Sequence, residues 1–533
     1  MLRSIIIAFL VMLFYTSSSQ ENFKYSVEIT AVDFPGLPGL HSFAFAQHEG
    51  KWLIVGGRRD GVHPRQPFNA FPPSQNNTSL YVFDVNTKQL WSAPLSGLPA
   101  GLEEQLQSAN MNFLQREDTL YVIGGYAYSA SANDHISFPN LSTIQVSSLI
   151  HAIVQGTAIS SCFKQISDER FAVAGGQLGK IGNRFYLVGG HRFDGRYNPM
   201  GHSTFTQTYT SQVRSFEINN SGNLLSISNY NALTDAVHLR RRDYNLLPQI
   251  FPDGTQGYTI SSGVFQPNAD LPYLYPVDVK ENGIIPHTGF NQYLSNYHSA
   301  KASLFDSAKQ EMYSIFFGGI SQYNFTGENL VQDNQVPFIK TVSLLTRSAD
   351  GKFREYKLPV ELPGFLGAGA EFIANSPLPH TASEIIRLDR IEADEILLGH
   401  IYGGINSTIK NAFSINNSGA TSAGTAIYSV KLKKNTVSSL QLLDGSNPYS
   451  IRVVPNPFKN QVEILYTVDH PVKVYYYVSS HQGQIIQQHK MPDAVAGKNS
   501  YLLSFQEPMA AQVLILTIVF DNKFFVSQRI IKE

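Results

Sequence analysis

A short phrase returns six times along this 533-residue chain: an apolar or aromatic strand that ends in glycine. It reads WLIVGG at Trp52–Gly57, LYVIGG at Leu120–Gly125, FYLVGG at Phe185–Gly190, YSIFFGG at Tyr313–Gly319 and HIYGG at His400–Gly404. A worn copy, YTISSG at Tyr258–Gly263, fits between the third and fourth. Recurrence of this kind marks a repeat architecture in which one unit cannot bury its faces alone and neighbours must stack. The double glycine supplies backbone angles closed to other residues, so the chain can leave the second strand of a unit tightly. Gly175–Gly176 falls only fourteen residues before Gly189 and reads as an innermost strand, not another unit. Downstream strands recur as well, such as Leu80–Asp84, the strand holding Trp91, and Ala426–Leu432 in the last unit.

This pattern resembles the kelch repeat over about residues 25–440, with the glycines well kept, the tyrosine partly kept and the tryptophan only in the first unit. The resemblance implies an all-β, six-bladed kelch-type β-propeller, with seven blades as the alternative count. Radial stacking of four-stranded sheets leaves only short protected edges. Tyr25–Ala31 alternates as a strand should and is predicted to complete the last blade.

Two further segments flank the repeats. Arg3 precedes an apolar run, Ile5–Tyr15, and small residues at 16–19. That is the three-part pattern of a secretory signal, too short to span a bilayer, with cleavage expected close to Ser19. The domain reading is therefore signal 1–19, propeller 20–440 and a third module at 445–533. In that last module short alternating strands at 449–454, 461–468, 472–479, 484–489, 500–505, 512–520 and 523–531 predict an immunoglobulin-like sandwich. Pro455-Asn456-Pro457-Phe458 opens it, and Gln528–Glu533 ends it with basic residues. The combination resembles the type A C-terminal sorting domain of the type IX secretion system of Bacteroidota. It implies export to the outer cell surface and contact with the secretion machinery through 445–533.

Composition excludes some partners. Lys+Arg is 40 and Asp+Glu 41, so no steering toward nucleic acid or an anionic membrane is expected. The single cysteine, Cys162, cannot form an intrachain disulfide and reads as a buried small hydrophobe. No GxSxG, HExxH or phosphate-binding glycine loop occurs, and no cofactor or metal is expected.

Propeller geometry places post-glycine loops and the openings of innermost strands on one face. The candidate ligand-binding residues on that face are His41, Arg58, Arg59, Asn110, Tyr126, His191, Arg192, Arg242, His298 and Glu371. Arginine makes bidentate bonds to carboxylate or sulfate, and tyrosine stacks on sugar faces. The expectation is a binder of a glycan or protein partner, with an acidic sugar as the sharpest case. The alternative is a sugar-modifying enzyme resembling the sialic-acid mutarotases and epimerases. A copper oxidase resembling galactose oxidase would need a matched Tyr-His-Cys set that Cys162 lacks. Within Arg240–Arg242, at least two side chains are expected at the surface. The long loops near 60–77, 126–140 and 191–212 are where binding would sit, and 405–423 is expected to be mobile.

Overall fold

The computed structural model describes residues 23–66, 69–200, 204–434, 440–505 and 509–533. The proposed signal at 1–19 lies outside the described residues. Among the described residues six larger, mainly antiparallel sheets follow one another in chain order, three two-stranded hairpins accompany them, and two further sheets form the C-terminal module. Sheet 1 comprises Ala44–His48, Lys51–Val55, Ser79–Asp84 and Gln89–Pro94. Sheet 2 comprises Asn112–Arg116, Thr119–Ile123, Asn140–Gln145 and Phe163–Ser167. Sheet 3 comprises Gln177–Ile181, Arg184–Val188, Gln212–Ser221 and Leu224–Thr234, and sheet 4 Asn245–Ile250, Gln256–Ser261, Val277–Lys280 and Gly283–Pro286. The main strands of sheet 5 are Lys301–Asp306, Glu311–Ile320, Phe338–Arg347 and Phe353–Glu361. Sheet 6 runs through Phe365–Ala374, Glu395–Ser407 and Ile427–Lys434, and its outermost strand is Tyr25–Val32 from the other end of the chain.

The sheets close on themselves in a β-propeller-like ring. From sheet 1 to sheet 6 the first strand of each touches the first strand of the next, and a cycle of backbone hydrogen bonds joins all six at one level. Asn110 N–H donates to Ser42 (3.0 Å), Gly175 to Asn110 (3.1 Å) and Asp243 to Gly175 (2.7 Å). His298 then donates to Asp243 (2.7 Å), Gly369 to His298 (2.9 Å) and Ser42 back to Gly369 (2.8 Å). Ser42, Asn110, Gly175, Asp243 and Gly369 hold left-handed φ angles of 49–68°, a region where Gly, Asn and Asp are at home.

The cores lie between sheets. Ile54, Phe83, Ile373 and Tyr402 fill the space between sheets 6 and 1, and Leu53, Val82, Leu120 and Ile144 that between 1 and 2. Ile123, Leu141, Leu187 and Phe216 lie between 2 and 3, and Ala302, Ile315, Phe372 and Ile401 between 5 and 6. Cys162 is buried in the second of these cores, and burial raises its thiol pKa.

The double glycine is the clasp between neighbours. In each of the five full copies both glycines have φ of 52–98°, and in the worn copy Ser262 and Gly263 take 58° and 100°. The second residue's N–H crosses to the next sheet: Gly57 to Ser108 O, Gly125 to Val173 O, Gly190 to Arg241 O and Gly404 to Leu40 O, all at 2.8–3.0 Å. A Cβ on Gly124 would stand 1.9 Å from Val173 O, so close backbone approach demands glycine there.

The C-terminal module pairs a three-stranded sheet, Ile451–Val454, Gln461–Val468 and Gly497–Ser504, with a four-stranded one. The latter is ordered Ile485–Lys490, Val474–Ser480, Gln512–Phe520, Phe524–Lys532. Phe458, Ile464, Tyr476, Leu514 and Phe520 form the core between them.

Within the basic run Arg240 and Arg242 keep partial exposure, while Arg241 is fully buried because carbonyls and aromatic faces replace water around it. The 405–423 segment is packed: Phe413 takes the Arg65 guanidinium at 4.6 Å, and Ala412 is buried.

Candidate functional site

The backbone ring divides the ten candidate residues. On its loop side, antiparallel bridges join His41 to Arg58, Ala109 to Tyr126, Ala174 to His191 and Arg242 to Val264. Thus the two sets, strand openings and post-glycine loops, do meet for His41, Arg58, Tyr126, His191 and Arg242. Asn110 and His298 are members of the ring itself, one residue beyond the level of His41 and Arg242. Glu371 lies two residues further into its strand than Gly369. Asn110, His298 and Glu371 instead line a channel cavity of about 180 Å³ on the strand side of the ring. A one-residue offset in a strand turns a side chain to the opposite face, which is why these three leave the loop-side group.

Most of the loop-side arginines are engaged by carboxylates. Arg58, 3% exposed, donates to Asp60 Oδ1 (2.9 Å) and Oδ2 (2.6 Å) and to Asn76 Oδ1 (3.1 Å). Burial pushes the Asp60 carboxyl up, but bonds from His41 and Arg58 outweigh it and hold the pKa at about 2. Arg192 is exposed and tied to Asp194 (2.6 Å) and Glu169 (2.7 Å). Arg59 is exposed. Tyr126 is buried, and its hydroxyl donates to Gly195 O at 2.8 Å. Arg58, Arg192 and Tyr126 are therefore tied into the loops by these bonds.

Arg242 sits among aromatic rings as well as beside a carboxylate. It pairs with Asp243, its Nε donates to the Tyr209 hydroxyl (3.2 Å), and its guanidinium stands 5.1 Å from the Phe265 ring. Its side chain stays 20% exposed. Burial alone would lower its pKa, but the charge of Asp243 and the hydroxyls of Tyr209 and Tyr297 raise it, so it remains a cation. His191 is buried beside it, and its Nδ1 accepts from Gln207 Nε2 at 2.7 Å.

Sequence reasoning missed the aromatic wall. The hairpin Tyr126–Ser129/Asp134–Ser137 and the hairpin His191–Gly195/Phe205–Tyr209 carry it over the ring. His63 stacks on Phe71 at 4.3 Å and meets Tyr197 edge-on at 4.9 Å, while Phe265 meets Tyr297 at 6.4 Å. The signal available was the density of aromatic and His residues in the long loops.

Burial lowers His63 to about 4, with the nearby Arg58 and Arg242 charges adding to it, and it also lowers His191 well below the usual imidazole value, aided by Arg242. Both folded values lie below the ordinary 6.5. The unfolded chain then binds protons first, so stability is full above pH 6.5 and falls as pH drops through about 4. The expected loss is about 2 kcal/mol from His63 after solvent screening. Urea midpoints measured across this window check it: His63→Phe, which keeps the ring stack, should flatten the slope, and an unchanged slope refutes the assignment.

On the strand side, His298 Nε2 stands 3.0 Å from Glu371 Oε1, off the line of a good hydrogen bond. Burial lowers the pKa of neighbouring Lys301, opposed by the Glu371 charge. The cavity continues into a wider vestibule of about 1080 Å³, with Arg116, Tyr258 and Glu384 common to both walls.

No protein-family model and no characterised relative matches this chain. A solved structure titled "Structure of YjhT" aligns at 13% identity with a TM-score of 0.40, covering 77% of this chain and 99% of that one.

Proposed function

We propose that this chain is a six-bladed kelch-type propeller that binds a glycan through its loop face. We further propose that its C-terminal module is an immunoglobulin-like type IX sorting domain that brings it to the outer cell surface. Closure of six sheets by six successive backbone bonds supports the blade count. The three-plus-four strand order, with Phe458 of Pro-Asn-Pro-Phe buried at its core, supports the sandwich.

The observation that carries the binding reading is the Arg242 nest. A partly exposed guanidinium set among Tyr209, Phe265 and Tyr297 offers a charge-assisted contact to a sugar carboxylate or sulfate, beside rings that stack on sugar faces. A glycan array with sialylated, sulfated and neutral sugars tests it. Acidic-sugar binding is expected to fall at least about tenfold in Arg242→Ala, the loss of one charge-assisted bond, and to persist in Arg192→Ala. A silent array leaves a protein-binding face as the better reading.

The His298–Glu371 contact favours a second reading, the sugar epimerase or mutarotase. A neighbouring imidazole and carboxylate in a channel can pass a proton. Accelerated anomer exchange of sialic acid, lost in Glu371→Gln, would support it, and no acceleration by the intact protein would exclude it.

A further inference from the structure

We propose that residues 445–533 are a clamp on the loop face rather than a detachable tail. In this reading they fix the 264–276 loop that walls Arg242, and they stay seated when the connecting chain is cut. Only the ligand-binding consequence rests on the loop-face reading above.

The module has its own core, yet three of its apolar side chains lie outside it. Tyr477, Val519 and Phe525 join Tyr273, Tyr275 and Val277 of the fourth repeat in one buried cluster. Phe525 meets Tyr275 at 4.9 Å and Tyr273 at 5.8 Å. The Lys523 ammonium lies 5.2 Å from the Tyr293 ring and 5.1 Å from Tyr323, and burial lowers its pKa. An apolar centre with polar contacts around it is the anatomy of a protein interface.

The backbones also interlock. Ala236 N–H donates to Gly483 O at 2.8 Å, and a Cβ at Gly483 would fall 1.9 Å from Thr234 O. The connection is itself built into sheet 5: Gln441–Leu443 pairs with Glu355–Lys357 as an added edge strand, and Leu443 is buried. Asn291 N–H then donates to Gly445 O at 2.6 Å. Asn447 Nδ2 reaches both Thr288 O and Phe525 O at 2.9 Å, tying repeat to module.

From this seat the module grips the site loop. Asn268 Nδ2 donates to the Tyr477 hydroxyl at 2.6 Å, and Gln266 Nε2 donates to Asn522 O at 2.7 Å. The residue before Gln266 is Phe265, the ring beside Arg242, and its N–H donates to the Tyr209 hydroxyl at 3.4 Å. The module thus holds the wall of the Arg242 nest at a distance of one residue.

Two measurements on the full chain test this. A specific protease site inserted within 435–439 is cut under native conditions. The 440–533 fragment should co-elute with the rest on gel filtration, and separate elution overturns retention. Hydrogen exchange then follows the 264–276 amides in Phe525→Leu and Asn268→Ala. Exchange there should rise at least tenfold while sheets 1 and 2 keep their protection, and unchanged loop rates overturn the clamp. Neither readout needs a ligand, so a failed glycan screen leaves both decisive. If an acidic glycan does bind, its affinity should fall in Asn268→Ala, and an unchanged affinity would remove the clamp's role in binding.

Discussion

Asp278→Asn is expected to destabilise the protein by about 3–5 kcal/mol, the usual effect of leaving a buried charge without its partner. Asp278 and Arg347 are 4% and 3% exposed. One guanidinium nitrogen, Nη2, reaches both carboxylate oxygens, at 2.6 and 2.7 Å. Thr259 Oγ1 donates to the same carboxylate at 2.6 Å, and His287 Nε2 stands 2.7 Å away. The Arg347 guanidinium lies 4.2 Å from the Phe353 ring and 5.1 Å from Phe251, and its Nε and Nη1 make no hydrogen bond among the described residues. Removing the carboxylate charge leaves this cation in an apolar slot between sheets 4 and 5. Burial pushes the Asp278 pKa up, but His287 and Arg347 outweigh it and hold the pKa below 3.8. Its contribution is therefore present above pH 3.8 and lost as pH falls through the lower folded value. Urea unfolding at neutral pH measures the loss. Arg347→Met on top of Asp278→Asn should restore most of it, because the penalty is the orphaned charge. A loss below about 1 kcal/mol, the size of an exposed pair, would mean that water reaches the pair.

The ring of sheets was legible because its joints demand glycine. Gly56–Gly57, Gly124–Gly125 and their repeats sit at left-handed φ against a neighbour's backbone, so few other residues fit and the period survives in the sequence. The worn copy is readable for the same reason: Gly263 remains, and only Ser262 replaces a glycine. The hydrogen-bonded ring was not legible. Its members Ser42, Asn110, Gly175, Asp243, His298 and Gly369 share a backbone position and no side-chain chemistry. That loss of register put His298 and Glu371 with Arg242, although they face the channel cavity.

The engagement of the loop arginines did leave a trace. Residues two apart share one face of extended chain, and Arg58–Asp60 and Arg192–Asp194 both pair at that spacing. Reading Arg-x-Asp as an internal pair would have removed both from the ligand set. Nothing comparable marks the docking of the C-terminal module. Tyr477 and Phe525 lie on the strand faces opposite Tyr476 and Val526 of the module's own core, and the continuous apolar runs Val474–Val478 and Phe524–Val526 hide that alternation.

Arg241→Met is expected to cost about 4 kcal/mol, because it strips a join shared by sheet 3, sheet 4 and the C-terminal module. Leu40 and Val173 occupy the corresponding clasp positions elsewhere, each accepting the second glycine's N–H. Arg241 accepts the same bond from Gly190 at 2.8 Å, but its side chain is polar and fully buried. Among the described residues its partners are carbonyls and rings. Nε donates to His238 O, and Nη1 donates to Ser262 O and Tyr275 O, all at 2.8 Å. The guanidinium lies 4.4 Å from the Tyr273 ring and 4.5 Å from Tyr275, the two tyrosines on which Phe525 packs. Methionine nearly conserves volume but leaves three buried carbonyls unbonded, at roughly 1–3 kcal/mol each with incomplete additivity. It also removes two desolvated cation–π contacts, worth about 1–2 kcal/mol each, and relieves part of the several-kcal/mol penalty of holding a guanidinium out of water, which brings the net to about 4 kcal/mol. Arg241→Lys keeps the charge and loses the planar fork, so its loss should be about half as large. Urea midpoints for the three proteins give the order wild type, Lys, Met. Hydrogen exchange in Arg241→Met should rise first where Tyr273 and Tyr275 meet Phe525, since the ring pair loses the cation between its faces. Equal midpoints for Lys and Met would show that the fork contributes nothing beyond its charge, and a loss under about 1 kcal/mol would show that water replaces the guanidinium at these carbonyls.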